Sequence, residues 1–142
     1  MKNQALRVLA VLGLAVLLSA PAAFAQLSEV LVADIPFDFV VAGRVYPAGN
    51  YEVRPLPNMP AVTIKSADQG VAIAAMTSPA WSPARKVQPS LIFNRHENKY
   101  FLSKVNGRFS ACGLRTSKTE RELAAKSAPQ SLSIAAFVRS YR

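Results

Sequence analysis

The chain is poor in the residues from which catalytic and metal centres are usually assembled. Cysteine and histidine occur once each, as Cys112 and His96. A lone cysteine excludes an intramolecular disulfide. One histidine and one cysteine fall short of the ligand set that holds zinc, and no ligand spacing joins them. No Asp-x-Asp-x-Asp-Gly loop is present for calcium, and the 6 glycines form no phosphate-cradling series. The expectation is a chain without metal or cofactor. Acidic residues are also scarce: 8 Asp and Glu stand against 17 Lys and Arg, a formal net charge of +9. That balance favours anionic partners. The basic residues are dispersed, with no run of five like charges. No aromatic–basic alternation marks a strand-binding sheet, which disfavours nucleic acid as the partner. Beyond residue 25 the apolar runs are short, so no membrane-spanning segment is expected in residues 26–142.

What is present begins with an export signal. Lys2 and Arg7 flank a short polar start, Val8 to Leu18 is apolar apart from Gly13, and Ala23-Phe24-Ala25 supplies small residues two apart ahead of Gln26. Positive end, short apolar core and A-x-A site are the parts of a secretory signal peptide. The apolar core is shorter than the roughly 20 residues a membrane helix needs. Residues 1–25 are read as the signal peptide, and residues 26–142 as a single β-rich domain destined for the periplasm or the cell exterior. Cleavage would remove Lys2 and Arg7 and leave the mature part basic.

The 10 prolines are spread widely and most of them punctuate short apolar segments, the pattern of many short strands with turns between them. Ile35 to Val41 alternates, with Ile35, Phe37, Phe39 and Val41 on one face, and reads as one half-buried strand. Ala42-Gly43 and Pro47-Ala48-Gly49 read as turns around a return strand, Arg44 to Tyr46. Tyr51 to Pro55, Val62 to Lys65, and Val71 to Met76 follow as strands. Leu91 to Asn94 and Tyr100 to Val105 flank a polar hairpin tip, Arg95 to Lys99. Asn106-Gly107 is the strongest turn signal, with Phe109 to Leu114 pairing back across it. Ser117-Lys118-Thr119-Glu120 fits a capping box that opens a helix at about 118–126. Leu132, Ile134, Ala136 and Val138 then alternate in a final strand at about 131–138. The fold expected is mainly β: a small single-domain β-sandwich or partly open barrel of about eight short strands with one short C-terminal helix.

Several stretches together resemble a known group of sequences. These are Ile35-Pro36-Phe37-Asp38-Phe39 with Val41 and Gly43, Pro47-Ala48-Gly49-Asn50-Tyr51, Phe93-Asn94-Arg95 with Tyr100-Phe101-Leu102, and Glu120-Arg121-Glu122-Leu123-Ala124. The chain resembles an uncharacterised family of small exported bacterial proteins that carry IPFDF-V-G, LPAG-x-Y, FxRYGDxYFL and ERELA motifs in this order. The resemblance runs from about Ile35 to Lys126. Tyr46 stands where that pattern has Leu, and His96-Glu97-Asn98 stands where it has Tyr-Gly-Asp. The resemblance implies no activity, cofactor or catalytic residue.

The residues themselves favour binding over catalysis. His96, in the hairpin tip, reads as a solvent-exposed turn histidine, and Cys112 as a small buried hydrophobe. Asp34 and Asp38, four apart on one strand, would stand about 13 Å apart, too far for either glycosidase geometry. No catalytic, cofactor-binding or metal-binding residue is assigned. Trp81, Arg85 and Lys86 form the candidate ligand surface: the indole either stacks on a ligand beside the two cations or plugs one end of the sandwich. The leading expectation is an exported non-enzymatic protein that binds an anionic envelope component or another exported protein. Two alternatives stand beside it. One is a hydrolase of cell-wall or carbohydrate polymer using Asp34, Asp38, His96 and Glu97. The other is an assembly subunit whose C-terminal strand adds to a neighbour's sheet edge.

Overall fold

The computed structural model describes Gln4 and residues 29–56, 59–79, 88–108 and 111–139. The expected signal peptide, Gln4 apart, lies outside these residues, as do Trp81, Arg85 and Lys86. Among the described residues the strands are β1 (Val30–Ile35), β2 (Phe39–Val41), β3 (Arg44–Tyr46), β4 (Gly49–Pro55), β5 (Ala61–Ser66), β6 (Ala72–Pro79), β7 (Ser90–His96), β8 (Lys99–Asn106), β9 (Ala111–Leu114), β10 (Gln130–Ala135) and β11 (Phe137–Arg139). One helix, α1 (Lys118–Lys126), precedes β10. The fold is mainly β, as expected, with eleven strands rather than about eight.

The hydrogen-bonded order is β10-β7-β8-β9-β6-β5-β4-β1-β11, with β2 pairing β3 and, in parallel, β8. Two elements turn the corners. The first half of β6 pairs β5 and its second half, Thr77 to Pro79, pairs β9. At the other corner, β10 pairs β7 and β11 pairs β1, with only Ala136 between them in the chain. The path therefore begins and ends in one C-terminal run, and the result is a partly open barrel built as a small sandwich. β10 and β11, in the run offered for a neighbour's sheet edge, are the end strands of this path, and each pairs along one side within its own chain.

The expected strand Ile35 to Val41 is two strands. Pro36 has no N–H to give a ladder, and the chain leaves β4 at Ile35 to join β8 at Phe39. The Pro36-Phe37-Asp38 segment is thus a crossing between sheets. The alternation survives it: Ile35, Phe39 and Val41 are buried, and Phe37 packs against them. The core is completed by Leu31, Ala33, Tyr51, Val53, Val62, Ile64, Leu91, Phe93, Leu102 and Val105. Cys112 is only partly buried and packs on this core from β9. The connection after Asn106 is longer than the expected two-residue turn, since Asn106 pairs Ala111.

Two hairpins turn tightly. Ala42 and Gly43 carry φ of +49° and +78°, the type I′ signature that matches strand twist. Between β7 and β8 the turn is Glu97-Asn98, shorter than the expected Arg95 to Lys99 tip, with Glu97 at φ +54°. Left-handed backbone suits glycine and costs other residues about 1–2 kcal/mol. The resembled motif has glycine at this place. Glu97→Gly is accordingly expected to raise stability by about 1 kcal/mol in urea unfolding. An unchanged or lowered midpoint would refute the strain argument.

Candidate binding groove

The sequence motifs converge through specific contacts. Phe37 stacks on Tyr100 at 3.9 Å between ring centroids and meets Phe93 edge-on at 5.1 Å. This ties the sheet crossing to β7 and β8. Asp38 Oδ1 accepts the Ala48 N–H at 3.0 Å, and the Tyr51 hydroxyl donates to the Pro47 carbonyl at 2.6 Å. These bonds lock the Pro47-Ala48-Gly49 turn to the crossing. Gly49 sits at φ +154°, and a Cβ there would lie 3.3 Å from Asp68 Oδ2. Asn94 Nδ2 donates to Glu120 Oε1 at 3.1 Å, which ties β7 to α1.

The capping box forms as expected on its backbone side: Ser117 Oγ accepts the Glu120 N–H at 3.2 Å. The Glu120 carboxylate, expected to return to Ser117, instead accepts from Asn94. That contact leaves Glu120 only 6% exposed and sets α1 on the outer face of the sheet. Cross-strand register puts Val45, Val40, Phe101 and Asn94 in one row across β3, β2, β8 and β7 on that face. The start of α1 covers the Asn94 end. Phe101 is buried there, outside the main core, with the His96 ring edge-on at 5.8 Å. Tyr100, on the opposite face, packs on the main core.

His96 is therefore a correction to the sequence reading. It is 2% exposed rather than a solvated turn residue, and its Nδ1 has no hydrogen-bond partner among the described residues. The reason is register: His96 pairs Lys99 as the last ladder position before the turn, on the face that Phe101 also occupies. The other acidic candidates do not join it. Asp34 is exposed on β1, opposite Asn50, and Glu97 is exposed at the turn with its carbonyl accepting from Arg95 Nε at 3.0 Å. Because the crossing separates Asp34 from Asp38, the four-apart spacing on one strand does not apply.

Between α1 and the β2–β3 hairpin the row is uncovered, and a groove of about 350 Å³ opens. Val40, Val45 and Phe101 give it apolar surface; Asn98 and Lys99, with Ser117 and Thr119, give it a polar rim. Among the described lining residues, Asp38 and Lys99 carry charge. Asp38 is already engaged with Ala48, and Ser117 Oγ with Glu120. What the groove offers is an apolar strip with polar edges, the makeup of a recognition surface. Sequence reading missed it because Val45 is in a three-residue strand, and only the pairing of β2 with β8 places it beside Phe101. The available signal was Val40 and Val45, which a two-residue turn at Ala42-Gly43 sets opposite each other.

In two groups that pack in or against the core, folding favours the protonated form. Burial pushes the Tyr51 hydroxyl above its ordinary value of 10.0, with the charges of Asp38 and Asp68 adding to the effect. Burial likewise pushes the Cys112 thiol above 9.0. Both bind their proton more tightly folded than unfolded. Their contribution is complete below pH 9.0 for Cys112 and 10.0 for Tyr51, and is lost as pH rises from there through the folded values. Stability is expected to fall on alkaline titration above about pH 9, and Tyr51→Phe should flatten the later part of that fall. Urea midpoints across the range read this, and a flat profile would refute it.

The fold and groove define the class: a small, mainly β protein with an open mixed groove on the outer face of one sheet. Comparison with protein-family models, curated proteins and solved structures finds no match.

Proposed function

We propose that this chain is an exported, non-enzymatic protein that binds an anionic envelope component or another exported protein. The observation that carries this reading is the uncovered end of the Val45–Val40–Phe101 row, which leaves a ligand-sized groove of about 350 Å³ beside Lys99. The A-x-A signal pattern and the excess of 17 basic over 8 acidic residues support the location and the sign of the partner. Two of the polar groups around the groove serve the structure: Asp38 and Ser117 each hold a backbone N–H. This favours recognition over activation of a nucleophile or water.

The test is co-sedimentation of the exported protein with isolated cell-envelope fractions at low and high salt. Sedimentation is expected. Loss in high salt assigns the binding to an anionic surface, and persistence assigns it to a protein or glycan partner. Protein that stays in solution under both conditions overturns the proposal.

A further inference from the structure

Resting on that binding reading, we infer that the outer edge of β3 is a docking site for an extended, acidic peptide segment of a partner protein. The hairpin ladder fixes which backbone groups face outward. Val41 opposes Arg44 across the two-residue turn, Val40 opposes Val45, and Phe39 opposes Tyr46. In an antiparallel pair, hydrogen-bonded and non-hydrogen-bonded positions alternate. The pair closing a two-residue turn is bonded, so Val40 and Val45 are the non-bonded pair. Their N–H and C=O groups point away from each other. Those of Val40 face β8, with which β2 pairs. Those of Val45 face outward, where β3 has no other strand among the described residues.

The edge has a defined length. Pro47 has no N–H, and its carbonyl already accepts the Tyr51 hydroxyl at 2.6 Å. One residue, Val45, therefore presents one donor and one acceptor, a two-bond ladder whose register is left to the side chains of an incoming strand. Its side chain is 69% exposed and continues into the groove beside Val40 and Phe101. An added strand would place alternate side chains over that apolar strip, the arrangement by which strand addition combines main-chain affinity with side-chain specificity. Charge complementarity chooses the acidic class. Arg44 is exposed next to Val45 and Lys99 lines the groove, two cations against the single carboxylate of Asp38, whose Oδ1 is turned to the Ala48 N–H.

The probe is a pool of octapeptides alternating Val, Ile or Thr with Asp or Glu, added to the isotope-labelled exported protein. The pool is expected to shift the Val45 amide resonance and slow its hydrogen exchange. Val45→Pro removes the outward N–H and replaces the valine side chain while sparing the hairpin's own hydrogen-bonded pairs, so it should weaken binding about tenfold. Val45→Ala keeps the N–H and should lose less. A cooperative thermal transition checks that Val45→Pro folds. If it does not, the exchange measurement on the unaltered protein decides by itself. No shift at Val45 with the pool, or equal binding by Val45→Pro, overturns the inference. Equal sedimentation of unaltered protein and Val45→Pro with envelope fractions also overturns it, while leaving the broader binding function standing. Sedimentation by neither protein removes that function.

Discussion

Phe39→Ala is expected to lower the unfolding free energy by about 3–5 kcal/mol, the range for truncating a buried aromatic. Phe39 has no exposed surface and makes ring contacts with Tyr51 at 4.9 Å, Phe93 at 5.6 Å and Tyr46 at 6.0 Å between centroids. It joins three elements that share little backbone pairing. β2 is only three residues long and holds β8 through just two positions, Phe39 with Tyr100 and Val40 with Phe101. Side-chain packing therefore fixes the β2–β3 hairpin, and with it one wall of the groove. A domain of this size is stable by about 5–15 kcal/mol, so the loss is a large share of the total. Urea unfolding measures it. A loss below about 1 kcal/mol would mean that the hairpin is held by its ladder alone.

Removing residues 130–142 is expected to abolish the cooperative fold. The truncation takes away β10 and β11, which pair β7 and β1 along their whole lengths. It also removes Ile134, Ala136 and Val138 from the core side. Two long sheet edges are left open at the same corner, and open edges pair with other chains. The truncated chain should show no sharp thermal transition and should sediment as aggregate. A folded, monomeric truncated protein would show that the C-terminal run is an accessory to the barrel. The same run leaves Phe137 75% exposed on the outer face, so Phe137→Ser should change stability little, within about 0.5 kcal/mol.

Much of the strand pattern was legible in the sequence because burial alternates wherever one face of a sheet packs. Tyr51 and Val53 are buried between Glu52 and Arg54, and Leu91 and Phe93 are buried between less buried neighbours. The helix was legible from Ser117 and Glu120, whose cap needs nothing beyond local chain. The breaks at Pro36-Phe37-Asp38 and at Ala136 were not. Each is the place where the chain changes partners, and partner choice depends on strands distant in sequence. His96 was misread for the same reason: polarity around a turn suggests exposure, but the face opposite the main core is roofed by α1 near Asn94.

The groove shows the same division. The motif residues of the elements that frame it were visible in the sequence, and structural bonds explain several of them: Asp38 with Ala48, Tyr51 with Pro47, Glu120 with Asn94. By itself the sequence determined the mainly β class, the Ala42-Gly43 turn and the capped helix, because propensity and alternation act over a few residues. Only the tertiary structure decided that Val45, Val40 and Phe101 share a row, that α1 leaves its end uncovered and that the β3 edge faces outward. Those are consequences of register between segments far apart in the chain, which local chemistry does not specify.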